Sequence, residues 1–181
     1  MTLIDTVLKK FGMLFERKMS VTTRPKRQIE KAEGNFLFVS VEEFKKMQAA
    51  GAFIECREKG GHWHGTSYAE LERIKALGKI PIIEVDYEGA REINNQALEA
   101  NFLFIYPPSF EELRKRIGNR IETEADFKLR IKEAINQIEL ANKSVLFTNR
   151  LVNDELNSAK AEVFTLVEAL YFQELKKISD T

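Results

Sequence analysis

The chain has 181 residues, 28 Lys and Arg against 28 Asp and Glu, 44% hydrophobic residues and 31% charged ones. That length and balance predict one domain spanning residues 1–181 with enough apolar material for a core, and they exclude a disordered, collagen-like or disulfide-stapled chain. A formal net charge of zero excludes a coat for nucleic acid or anionic membrane, because those partners select a basic excess.

Leu3, Val7, Leu8, Phe11, Leu14 and Phe15 recur at spacings of three and four, which predicts an amphipathic helix over Thr2 to Phe15 that starts with no strand, cap or glycine turn before it. Ser20 to Arg27 is β-branched, then basic, then broken by Pro25, and reads as a short strand running into a loop. Asn35 to Thr66 alternates Asn35–Val39, a helix over Val41 to Ala50 closed by Gly51, Ala52–Cys56 and His62–His64, with Gly60-Gly61 at a turn, so a small antiparallel lobe is expected. A helix over Tyr68 to Leu77 leads to two apolar runs, Lys79–Val85 and Asn101–Tyr106, on either side of a helix over Glu88 to Glu99. Such runs fit buried strands of a parallel sheet. Helices over Phe110–Gly118 and from Phe127 onward bracket a charged stretch. Leu151–Asp154 reads as a last strand, and Val163 to Leu175 as part of a closing helix. The fold class is therefore α/β, with a parallel core, an antiparallel insertion and an arginine-bearing helical arm.

A single cysteine, Cys56, forms no internal disulfide, so the cytosol is the default compartment and the expected localisation is cytoplasmic. No apolar run approaches the roughly 18 to 20 residues that cross a bilayer.

Arg24 and Arg27 lie three residues apart on an extended basic segment, where two guanidinium groups can fork onto one phosphate; a solvated basic loop is the competing reading. Glu55 and Asp86 stand where apolar strands finish, the place where open α/β sheets collect ligands. A carboxylate there can accept from guanine N1–H and its 2-amino group, or simply cap the next turn. The cations from Arg114 to Lys132 make either a salt-bridged helical surface or a mobile arm that closes on transferring phosphates. His62 and His64 share a strand face, but without a third ligand they read as half-buried strand residues rather than a metal site.

In order along the chain, SVTTRPKR at 20–27, GNFLF at 34–38, GAFIE at 51–55, HGTS at 64–67, EVDYEG at 84–89, YPPS at 106–109 and VND at 152–154 together resemble the guanylate kinase family. The resemblance implies a P-loop nucleoside monophosphate kinase-like fold, with a parallel core, a GMP-binding lobe at 34–67 and a helical lid at 110–132. It implies phosphoryl transfer from ATP to GMP with Mg2+. It further implies that Ser20, Glu55, Thr66 and Asp86 read the base and that Arg24 and Arg27, with His64, hold the GMP phosphate. Arg120 and Arg130 would be the catalytic lid arginines, and Asn153 would sit on the ATP side. Met1 falls where the family's Gly-Lys-Ser/Thr phosphate loop ends, so the first strand and P-loop are expected to be missing and ATP use impaired. Phe36 and His64 stand where tyrosines usually donate to the GMP phosphate, and Glu84 is longer than the usual aspartate. The alternative expectation is a non-catalytic module for GMP or a phosphorylated peptide.

Overall fold

The computed structural model describes residues 2–26, 34–119 and 123–179. Helix α1 (Leu3–Phe11) opens on Thr2, whose side chain accepts from the Asp5 amide while Asp5 accepts from the Thr2 amide. This reciprocal cap corrects the expectation of an uncapped start. The helix also ends earlier than its apolar spacing predicts. Leu14 and Phe15 are buried, but from a turn and from β1 (Phe15–Arg17), which repays the same core from a different backbone.

The remaining elements follow in order as β2 (Ser20–Thr22), β3 (Phe36–Phe38), α2 (Val41–Ala49), β4 (Phe53–Lys59), β5 (His62–Ser67), α3 (Tyr68–Ala76), β6 (Ile80–Ile82) and α4 (Tyr87–Asn95). Then come β7 (Leu103–Tyr106), α5 (Phe110–Gly118), α6 (Glu124–Lys143), β8 (Asn149–Val152), α7 (Leu156–Leu170) and α8 (Phe172–Ser179). The last strand thus lies two residues before its predicted place, and the closing helix is two helices broken at Tyr171.

The parallel core consists of two pairs, β1 with β6 and β7 with β8. Both pack on α1 and α7 through Leu3, Val7, Phe11, Phe15, Leu151 and Val163, with Ile80, Ile82 and Leu103 alongside. Among the described residues no strand pairs with the other edge of β6. The Ile80 amide donates to Leu14 and the Ile82 carbonyl accepts from Lys18, so these residues face β1 and Pro81 between them faces the unpaired edge. Proline, which lacks an N–H, is tolerated on such an edge and costs a ladder bond anywhere else.

The second sheet has the order β3-β2-β5-β4; β2 runs parallel to β3, and the other neighbours are antiparallel. The insertion is therefore a mixed sheet that also recruits residues 20–22. Its register decides what each face carries. Thr22 lies opposite His64, Arg57 opposite His64, Glu55 opposite Thr66 and Ser20 opposite Phe36. With a side-chain period of two, one face collects Phe36, Phe38, Ser20, Thr22, His64, Thr66, Glu55 and Arg57. A register shift between Phe53 and Glu55 turns Phe53 to the opposite face, where it stacks on Phe44 with ring centroids 4.5 Å apart. The irregularity lets one short strand serve an aromatic core and a polar surface at once.

Candidate functional site

The chemistry-bearing residues gather between the polar face of the mixed sheet and the carboxyl ends of the parallel strands. Lys18 follows β1, Glu84 and Asp86 follow β6, and Asn153 follows β8, the end of a parallel sheet where ligands collect.

Glu55 does not end its strand as expected, because β4 continues to Lys59. Its side chain is buried and accepts from Thr66 Oγ1 at 2.5 Å. Thr66 is fully buried, so its hydroxyl is committed to that carboxylate. Asp86 lies beyond the end of β6 and caps α4, accepting from the Gly89 amide at 3.2 Å. The capping alternative from the sequence thus describes its backbone role, and the placement still directs the same carboxyl group at Arg57.

Ser20 accepts from Lys18 Nζ at 2.6 Å. Lys18 is 6% exposed, and burial pushes its ammonium below the usual lysine value, opposed by the carboxylates of Glu55, Glu84 and Glu70. Lysine has no lone pair to accept with when charged, so Ser20 must be the acceptor and its own proton is left to donate elsewhere. Thr22, also fully buried, donates to the Trp63 carbonyl and accepts from the Arg24 amide. That fixes the start of the arginine loop. The Arg24 guanidinium lies over Phe36 and Phe38, 5.1 and 5.4 Å from the ring centroids, and donates to the Pro25 carbonyl. Phe36 thus carries the arginine on its face where it has no hydroxyl to offer. His64 is half-buried, and burial, with Arg24, His62, Lys18 and Lys59 nearby, holds its imidazole below the ordinary value.

Arg27 and Arg120 lie outside the described residues. Arg130 is on the exposed side of α6 and pairs with Glu133 at 3.2 Å, away from the groups above. The Asn153 amide donates to the Tyr106 carbonyl, and its carbonyl accepts from Arg116 Nη1 at 2.6 Å. Arg116 also pairs with Glu112, so this cation of the helical arm anchors the end of β8.

Two cations that sequence reasoning passed over shape the site most. Arg17 pairs with Glu84 at 2.6 Å and with Asp5 at 3.1 Å. Arg57 donates through Nη1 to Asp86, with Nη2 3.7 Å from Glu55 Oε2. For Arg57 the signal was available: it follows Glu55 by two within β4 and so shares that residue's face of an extended strand.

The guanylate kinase family model matches residues 1–170. The chain belongs to the guanylate kinase family. Pig guanylate kinase (Sus scrofa) is 33% identical over 181 residues, covering 99% of this chain and 89% of that protein. Guanylate kinase 1 of Oryza sativa subsp. japonica is 35% identical over 158 residues, which is 87% of this chain but 41% of the rice protein. The chain therefore spans less than half of that relative. The crystal structure of guanylate kinase from Anaplasma phagocytophilum superimposes with a TM-score of 0.69 at 27% identity, covering 91% of this chain and 80% of that one. The α/β fold of the guanylate kinases is thus shared by this chain. No described helix is long and apolar enough to cross a membrane.

The family uses ATP and Mg2+, and the residues present do not fit a protein-held magnesium ion. Glu84 is engaged by Arg17, Asp86 by Arg57, and among the described residues no three His, Cys, Asp or Glu side chains converge.

Proposed function

We propose that this domain binds GMP between the polar face of its mixed sheet and the carboxyl ends of its parallel strands, with residues 34–67 as the nucleotide lobe and 110–132 as the lid. The observation that carries the reading is the buried Glu55–Thr66 pair on the same sheet face as Ser20, His64 and the start of the Arg24 loop. A carboxylate has about four acceptor positions, and the hydroxyl of Thr66 takes one of those on Glu55, which leaves acceptor capacity for a ligand's donors. Glu55 would accept from guanine N1–H and the 2-amino group. Ser20, oriented by Lys18, would donate to O6, where adenine carries an amino group that cannot accept. Arg24 and Arg27 would take the phosphate, with the neutral His64 ring adding one N–H. Arg120 and Arg130 would reach the phosphates when the lid closes, and Asn153 would border the ATP side.

Residues 1–181 contain no Gly-x-x-Gly-x-Gly-Lys stretch, the element whose backbone amides and lysine cradle donor phosphates. We therefore expect this stretch of chain to bind GMP with little or no phosphoryl transfer. Calorimetry with GMP and AMP, beside a coupled ATP/GMP assay, tests both parts. GMP should bind at least tenfold more tightly than AMP, with turnover at background. Equal binding of the two nucleotides overturns the GMP reading, and robust turnover overturns the loss of catalysis.

A further inference from the structure

The two carboxylates assigned to the base are not open. Arg57 reaches from β4 between them, donating through Nη1 to Asp86 and holding Nη2 3.7 Å from Glu55 Oε2. We propose that Arg57 is a built-in occupant of the base subsite, its guanidinium taking the acceptors that a guanine base needs, so that GMP binds only as Arg57 leaves. This deepens the GMP reading above and rests on it.

The argument is one of shape. Guanine's recognition edge is N1–H, C2 and the 2-amino group, two nitrogen donors on one planar carbon. A guanidinium presents the same N–C–N unit, with a positive charge that carboxylates favour. Either can satisfy Glu55, and the two cannot do so together. The seat is also made to measure on its far side. A Cβ at Gly89, in the first turn of α4, would stand 2.5 Å from Arg57 Nη2 and 3.0 Å from the Val85 Cβ, so the missing side chain is what leaves room for the guanidinium.

The fit is nonetheless incomplete. Arg57 Nη2 is a buried nitrogen with no hydrogen-bond partner, since 3.7 Å to Glu55 is beyond hydrogen-bonding distance. A ligand that pairs both of its donors with Glu55 does better at that position than the arginine does. Arg57 is thus an exchangeable occupant. A site open for only a fraction of the time binds its ligand more weakly by that fraction.

The test compares GMP binding to the wild-type chain, Arg57→Ala and Arg57→Met by calorimetry, with thermal melts to verify folding. Arg57→Met keeps the apolar stem, so it serves should the alanine variant not fold. The expected result is GMP affinity at least tenfold higher in the variants than in wild type, with methylguanidinium competing against GMP on Arg57→Ala at concentrations that leave wild type unaffected. Wild-type GMP binding with unchanged or weaker affinity in the folded variants overturns the inference and leaves the GMP reading standing. No GMP binding by any of the three proteins overturns the GMP reading itself, and this inference falls with it.

Discussion

The two halves of the molecule bury different chemistry. Under α1 and α7 the parallel strands rest on an apolar cluster from Leu3 to Val167, and the one buried polar residue among those described there is Thr6, whose hydroxyl donates to the Thr2 carbonyl. Around the mixed sheet, Lys18, Thr22, Glu55, Thr66, Ser67 and Glu70 are all buried. Each has a partner: Glu70, for example, accepts from the Met19 amide and from Arg73. Burying such groups gains little net stability even when they are paired, and costs more when one partner is removed. Apolar packing supplies the free energy of folding in both halves, under the mixed sheet through Val21, Phe44, Ile54, Leu71 and Ile74. The buried polar groups found beside it in the mixed-sheet half hold donors and acceptors in fixed directions.

The largest effect expected from this contrast is in the apolar half. Leu151→Ala, at a position 1% exposed, should lower unfolding free energy by about 2–5 kcal/mol in denaturant titrations, with GMP affinity of the folded fraction unchanged. A loss of affinity matching the loss of stability would break the separation. Next, Thr66→Val keeps shape and removes the hydroxyl that donates to Glu55, so it should cost about 1–3 kcal/mol and weaken GMP binding as well. A neutral result would mean the pair is mere filling.

The smallest effect concerns pH. Burial, reinforced by neighbouring cations, holds His64 below its usual 6.5, so the folded chain keeps the ring neutral. As pH falls through that usual value, the unfolded chain takes up a proton that the folded chain refuses, and stability drops until the folded pKa is passed. Melts from pH 7 toward pH 5 should show His64→Asn losing less than wild type, by under about 1 kcal/mol. An identical slope would remove His64 from the acid sensitivity.

Much of this was legible from residue order. The helix at Phe110–Gly118 matched its pattern because Ser109 caps its start, accepting from the Glu112 amide. Glu55, Asp86 and the Ser20–Arg24 segment stood out in the sequence as polar groups beside apolar runs, and for Asp86 the capping alternative describes its backbone role. The misreadings occurred where two elements share one core. Leu14 and Phe15 continue the helical spacing of α1 and are buried, but on a turn and a strand, and nothing local separates those cases. The register shift at Phe53 was equally hidden, since it is set by where Ser67 and Thr66 meet β4.

The sequence by itself determined the α/β class and the family, because hydrophobic period and motif order are properties of the chain read along one line. Only the tertiary structure decided which charges meet. Arg57 lies 29 residues from Asp86 and Arg17 lies 67 from Glu84, and strand register with sheet packing brings each pair together. Whether Glu84 and Asp86 are free or already held by an arginine is a question of distance between elements, and no local pattern encodes it.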